Sequence, residues 1–311
     1  MWHRHAPGGV AGLLRRAGLR GRAPEPRGYA AAFGATLLWG VSTPLVKVLL
    51  AQAGVLAIGS ARSAVATLVL SVLLWLRHGR SGFVLSRDEL LRLAFVTSAG
   101  WVVCQIAWLV ALARISAAVT IILSNTSPMF VALMAALWLH EPLGRRALAG
   151  LVVSFAGILL VIGGGSEPSG PLDLLGVGAA LLSAATWAGY TVGCRSLLKR
   201  HDPLRIAALS SIIASCWIVP LGFFEPPESR IRSLEVLLGT LYLGVVPHVI
   251  ANMLFYFALR RLPAVQVGAF QYTVPLWAVV LSAVWLGEAI TPPLIAGMLL
   301  VLAGVRLAQQ R

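Results

Sequence analysis

Apolar positions in this chain do not alternate with polar ones. They gather into ten long runs separated by short polar punctuation, at about residues 29–50, 54–76, 93–113, 117–139 and 147–164, then 174–197, 206–224, 236–258, 264–286 and 292–309. Most approach the roughly 20 residues that a helix needs to cross a bilayer. No formally charged residue lies between Arg114 and Glu141, or between Arg261 and Glu288. Lipid requires each spanning segment to satisfy its own backbone polar groups, so the runs are expected as helices. The pattern predicts an all-α integral membrane protein with ten transmembrane helices. Its longest connections are residues 77–92 and the stretch "GGSEPSGPLD" at 164–173, which divides the chain almost in half.

The two halves share a register. Displaced by 147 positions, "SPMFVALMAALWLHE" falls on "VPLWAVVLSAVWLGE", so that Pro128 meets Pro275, Trp138 meets Trp285 and Glu141 meets Glu288. The same displacement brings Gln105 to Asn252 and the Ala–Gly pairs at 149–150 and 156–157 to those at 296–297 and 303–304. With a displacement of 148, Trp39 and Thr43 meet Trp187 and Thr191. Matches of rare residues in one register indicate duplication. Each repeat holds five helices, an odd number, so the second is expected to enter the membrane from the opposite side. Inverted repeats of this kind give transporters two similar conformations of opposite access. The expected organisation is a basic tail at 1–28, a first five-helix repeat at 29–164, an extracytoplasmic linker at 165–173 and a second repeat at 174–309.

Composition agrees with a lipid solvent: the 311 residues are 58% hydrophobic and only 12% charged. The net charge of +14 would suggest nucleic acid in a soluble chain, but threading the helices with the amino terminus inside accounts for it. Twenty Lys and Arg then fall on cytoplasmic segments, and only Arg114, Arg230 and Arg232 fall outside. Cytoplasmic loops of membrane proteins carry the excess of positive charge. Both termini are therefore expected in the cytoplasm of an inner-membrane protein, and no nucleic-acid partner is needed. A basic tail, an apolar run and "AQA" at 51–53 also have the form of a cleavable signal. The match of Trp39 to Trp187 argues instead that the first helix is retained. Cys104, Cys194 and Cys216 all lie inside apolar runs and form no CxxC pair.

These features resemble the EamA-type proteins of the drug/metabolite transporter superfamily. The likeness rests on the "WG" at Trp39–Gly40, Arg62 in "SARSAVATL", the proline-to-glutamate units ending at Glu141 and Glu288, and the paired "AG" motifs of the fifth and tenth helices. It covers about residues 28–308. The resemblance implies ten helices around a central cavity and movement of small organic solutes, often their export.

Candidate substrate contacts are Trp39, Arg62, Gln105, Trp108, Asn125, Trp187, Tyr190, Asn252, Gln271 and Tyr272. All are polar or aromatic residues well inside apolar runs. Each has a structural alternative. Amides glue membrane helices together, aromatics form interfacial belts, and Arg62 can pair with carbonyls or with an anionic group of a substrate. Pro128 and Pro275 break the hydrogen-bond ladder and expose carbonyls, as helix breaks beside a cavity do. Glu141 and Glu288 stand at helix ends, where structure or gating suits them. His248 is the one histidine deep in a run and the one candidate for proton coupling. All Asp and Glu lie in the tail, loops or helix ends, so no midplane carboxylate carries protons.

The chain shows no P-loop, no metal-ligand cluster and no cofactor motif. The rival reading is a membrane-embedded lipid-modifying enzyme, which would need acid–base groups clustered near one interface. The six histidines are scattered, so a non-enzymatic transporter is expected. It would act in the bilayer as a monomer or homodimer on a small organic solute, by facilitated or coupled transport.

Overall fold

The structure is a computed structural model, and it describes residues 26–127, 129–130, 133–134, 145–163, 173–261, 270 and 273–309. Among the described residues every regular element is helical. In chain order these are α1 (Pro26–Leu50), α2 (Val55–His78), α3 (Arg87–Arg114), α4 (Ala117–Ser124), α5 (Arg145–Gly163), α6 (Leu174–Arg200) and α7 (Pro203–Leu221). They are followed by α8 (Leu234–Val245, continued as Ala251–Arg261), α9 (Val274–Leu286) and α10 (Pro292–Gln309). Helices α1, α2, α3, α6, α7 and α8 are long and apolar enough to cross a membrane, whereas the apolar parts of α5, α9 and α10 are shorter. Large apolar side chains face outward, among them Leu68, Trp75, Phe95 and Val284, each more than half exposed. That surface is stable only against lipid or protein.

Helix ends differ from the apolar runs where capping chemistry, rather than hydropathy, sets them. α3 begins at Arg87, ahead of its run, because Ser86 and Glu89 form a capping box. α7 begins at Pro203, where Asp202 Oδ1 accepts from the Leu204 amide at 3.0 Å. Hydropathy reports only the part of a helix that needs lipid.

Helices α2 and α7 pack antiparallel. Gly222 lies against Ser60, the Ser215 hydroxyl donates to the Ser63 carbonyl at 3.2 Å, and Thr67 donates to the Ser211 carbonyl at 2.9 Å. Helices α5 and α10 are also antiparallel and meet backbone to backbone. A Cβ on Gly157 would lie 2.7 Å from the Val301 nitrogen, and one on Gly297 would lie 2.8 Å from the Gly157 carbonyl. The paired "AG" motifs therefore mark this contact. α3 packs on α6 as α8 packs on α1.

Both α3 and α8 are interrupted by a π-helical turn, at Thr97–Val102 and Val246–Ile250. The first contains Gly100 and the second Pro247, residues separated by the repeat displacement of 147. Pro247 lacks the amide that would continue the ladder. The widened turn leaves carbonyls that side chains satisfy: Trp39 Nε1 donates to the Pro247 carbonyl at 3.1 Å, and Asn252 Nδ2 to the His248 carbonyl at 2.6 Å. Gly100 lets α3 approach α6, since a Cβ there would lie 3.0 Å from the Tyr190 nitrogen. π-turns of this type recur at functional sites.

Candidate functional site: two related cavities

The π-turns present their side chains to one cavity. Trp101, from the α3 turn, meets His248, from the α8 turn, edge to face with ring centroids 5.3 Å apart. Trp187 and Tyr190 of α6 complete an aromatic cluster, with centroids 5.3 and 5.2 Å from Trp101. The cavity, of about 40 Å³, is also lined by Ser210, Ser211 and Asn252. The Tyr190 hydroxyl donates to Ser210 at 3.0 Å, and Thr97 reaches the same hydroxyl at 3.4 Å. The wall is thus aromatic on one side and hydroxyl- and amide-bearing on the other. A small organic solute suits such a wall, with a flat or apolar body stacked and one or two polar groups hydrogen-bonded.

A second cavity, of about 10 Å³, lies between α2, α3 and α7 and includes Arg62, Ser63, Gln105 and Ile106 in its lining. It corresponds to the first through the repeat. Displaced by 148, Gly59, Arg62 and Ser63 become Ala207, Ser210 and Ser211, and Ile218 becomes Leu70. Displaced by 147, Gln105 and Ile106 become Asn252 and Met253. Trp101 and His248, which meet at the first cavity, are themselves counterparts in that register.

Of the residues singled out from sequence, Trp187, Tyr190, Asn252 and His248 are brought together in the larger cavity. Arg62 and Gln105 share the smaller one, where the Arg62 guanidinium lies 5.5 Å from the centre of the Trp108 ring. Trp39 stands apart, against Phe255 and hydrogen-bonded to Pro247. Asn125 closes α4, its amide donating to the Ile121 carbonyl at 2.9 Å. Pro275 falls in the first turn of α9, where a missing amide costs nothing. Pro128, Glu141, Gln271 and Tyr272 lie outside the described residues.

Glu288 caps another helix. Its carboxylate accepts from the Ala117 and Ala118 amides at 2.7 and 3.0 Å, at the start of α4. Glu225 does the same for α2 through the Leu56 and Ala57 amides. Lys47 donates to the Leu112 and Ile115 carbonyls at 2.7 and 2.6 Å, at the end of α3. Negative groups at helix starts and positive groups at helix ends match the backbone charges there.

Sequence reasoning missed Trp101, Ser210 and Ser211. The signal was present in the repeat register, which relates Trp101 to His248 and Ser210 to Arg62. Only knowledge of which faces meet makes it readable.

The EamA-like transporter family matches the chain twice, over residues 26–163 and 174–309. The chain is 27% identical to the "Uncharacterized transporter YvbV" of Bacillus subtilis over 59% of its length and 60% of that relative's. It is 27% identical to the "Probable terminal-alkyne amino-acid exporter" of Streptantibioticus cattleyicolor over 88% of this chain and 90% of that one. Against the "Riboflavin transporter" of Brucella anthropi it is 31% identical, over 42% of this chain and 48% of that protein. A solved structure described as "Crystal structure of protein" superposes with a TM-score of 0.65, covering 91% of this chain and 96% of that one at 20% identity, a likeness of fold. The family and these relatives are named as transporters and not as enzymes.

Proposed function

This chain belongs to the EamA-like transporter family, and on that premise we propose that it moves a small organic solute across the inner membrane by alternating access between two inverted five-helix repeats. Ten spans with both termini in the cytoplasm fit the arginine distribution. The repeats correspond to residues 29–164 and 174–309, joined by an extracytoplasmic linker at 165–173. Export is the favoured direction, and the bilayer and the solute are the only partners the reading requires.

The observation that carries the reading is reciprocal contact between counterpart residues. Thr67 donates to the Ser211 carbonyl, and Ser215, the counterpart of Thr67, donates to the carbonyl of Ser63, the counterpart of Ser211. Self-complementary contact of this kind accompanies a two-fold relation. Counterpart helices that run antiparallel, as α2 with α7 and α5 with α10, support an axis lying in the membrane plane. Trp101 against His248 supports a passage of that axis beside the larger cavity. Carried solutes bind at such a repeat interface near the midplane. Two related cavities then serve as the two halves of one pathway.

The solute is read as neutral or zwitterionic overall and amino-acid-like or drug-like in size. Untargeted comparison of metabolites inside and outside cells carrying the intact gene, a deletion or an overexpression plasmid tests this. The reading expects a small set of organic solutes to rise outside with expression and to be retained on deletion. An unchanged solute profile together with altered membrane lipids would contradict it.

A further inference from the structure

The two π-turns are counterparts, yet their carbonyls are served differently. At the α8 turn, Trp39 Nε1 donates to the Pro247 carbonyl at 3.1 Å and Asn252 Nδ2 to the His248 carbonyl at 2.6 Å. The Trp39 ring also packs on Phe255, with centroids 5.3 Å apart. The repeat register turns these donors into Trp187 and Gln105, and the acceptors into Gly100 and Trp101. Neither Trp187 nor Gln105 is hydrogen-bonded to the α3 turn among the described residues. Trp187 packs instead on Trp101 and Tyr190, at 5.3 and 5.7 Å, in the wall of the larger cavity, and Gln105 lines the smaller one. Backbone placement does not keep Trp187 away from that turn. Tyr190 lies against Gly100, where a Cβ would be 3.0 Å from the Tyr190 nitrogen, and Trp187 stands only about 4.5 Å further along α6.

Inverted repeats give this difference a meaning. The two access states arise when each repeat takes up the conformation of the other. A contact between two residues in one state then recurs between their counterparts in the other. Contacts whose counterparts are already formed persist. Thr67 with Ser211 and Ser215 with Ser63 form such a set, and Trp101 with His248 maps onto itself. The contacts of Trp39 and Trp187 do not map onto one another, so they must change. The larger cavity requires a change as well, since about 40 Å³ holds a few waters and no organic solute.

We infer that Trp39 and Trp187 are the two arms of a conformational switch, docked alternately on the π-turns of α8 and α3. In the state described, Trp39 is docked and Trp187 forms cavity wall. In the opposite state Trp187 donates to the Gly100 carbonyl and packs on Trp108, the counterpart of Phe255. Trp39 then leaves Pro247 and lies beside His248 as Trp187 now lies beside Trp101. The docked indole satisfies a carbonyl that the widened turn leaves open, while the other indole is part of the pathway. The inference rests on the transport reading and deepens it, because it names the side chains that move when access changes.

The test follows the Trp39 indole N–H by nuclear magnetic resonance, in the full chain purified in detergent with isotope-labelled tryptophan. Its signal is one of ten indole signals and is assigned by its loss in Trp39→Phe. A docked N–H exchanges with solvent deuterium when the switch turns over, so its exchange rate follows the population of the opposite state. Trp187→Phe keeps a ring and removes the donor that holds that opposite state. The inference expects Trp39 exchange to slow about twofold to tenfold in Trp187→Phe, the range for one hydrogen bond, and to stay unchanged in the outward-facing Trp75→Phe. General loosening of the bundle speeds exchange, so slowing separates the switch from a merely structural role. Unchanged or faster exchange in Trp187→Phe would overturn the inference, and leave transport standing where the unaltered protein releases solute from proteoliposomes. If Trp187→Phe does not fold, Trp187→Leu decides by the same criterion. An unaltered protein that releases no solute from liposomes loaded with a small-molecule extract of bacterial cells would overturn the transport reading, and this inference with it.

Discussion

Glu288, just past the end of α9, closes the start of the neighbouring α4, its carboxylate 2.7 Å from the Ala117 amide. The first amides of a helix have no partner within the helix, and a carboxylate there satisfies them and meets the positive end of the backbone dipole. Glu288→Ala is expected to lower stability by about 1–2 kcal/mol, as loss of a capping acceptor does. Glu288→Gln keeps one acceptor oxygen and is expected to lose less. Thermal unfolding in detergent reads both, and equal melting temperatures for the three proteins would show that the cap contributes nothing.

The contact of α5 with α10 separates two glycines of similar appearance in the sequence. A Cβ on Gly297 would lie 2.8 Å from both the Gly157 carbonyl and the Val161 nitrogen, whereas one on Gly178 meets nothing within 4 Å. Gly297→Ala must push two helices apart and is expected to cost about 1–3 kcal/mol, the usual range for overpacking. Gly178→Ala gains helix propensity and is expected to stabilise by up to about 1 kcal/mol. The order of the two melting temperatures is the readout, and the reverse order refutes the close packing.

Orientation is open to direct labelling. Glu228 lies in the loop before α8 and Arg80 in the turn after α2, both exposed. In a background lacking Cys104, Cys194 and Cys216, an impermeant maleimide applied to intact cells is expected to label Glu228→Cys and to spare Arg80→Cys. The opposite pattern would invert the proposed topology.

The described Asp and Glu residues sit at helix ends and in loops, so the pathway has no carboxylate relay among them. A facilitator or exchanger is expected, and an imposed pH gradient should not drive accumulation above equilibrium in proteoliposomes. Accumulation that disappears in His248→Gln while downhill movement persists would make His248 the coupling residue. Accumulation that survives this substitution would place coupling on other groups.

Much of the fold was legible because lipid makes hydropathy almost a direct record of spanning segments. The starts of α4, α6 and α10 fall where the apolar runs begin, and the "AG" pairs mark the backbone contact of α5 and α10. Cap-defined ends such as Arg87 were less legible, since helical conformation there depends on Ser86 and Glu89 and not on apolarity. Within the site, Tyr190 and Asn252 stood out as polar groups in apolar runs. Trp101 did not, because a tryptophan in a membrane helix faces outward as readily as into a cavity, as the exposed Trp75 does. The π-turns that aim Trp101 and His248 at one another leave no mark in the hydrophobic period. Trp39 and Asn125 looked equally exposed to a cavity, yet both spend a side-chain donor on a backbone carbonyl.

The central claim is that solute passes along the wall formed by Trp101, Trp187, Tyr190 and Asn252. It is tested most directly by the initial rate of release, from proteoliposomes, of the solute found by the metabolite comparison. The rates compared are those of Trp101→Ala, Trp187→Ala and the outward-facing Trp75→Ala. The account predicts a rate for Trp75→Ala close to that of the unaltered protein. It predicts rates at least about tenfold lower for the other two, the loss that follows when about 1.4 kcal/mol of stacking with the passing solute is removed. Equal rates for all three would contradict it.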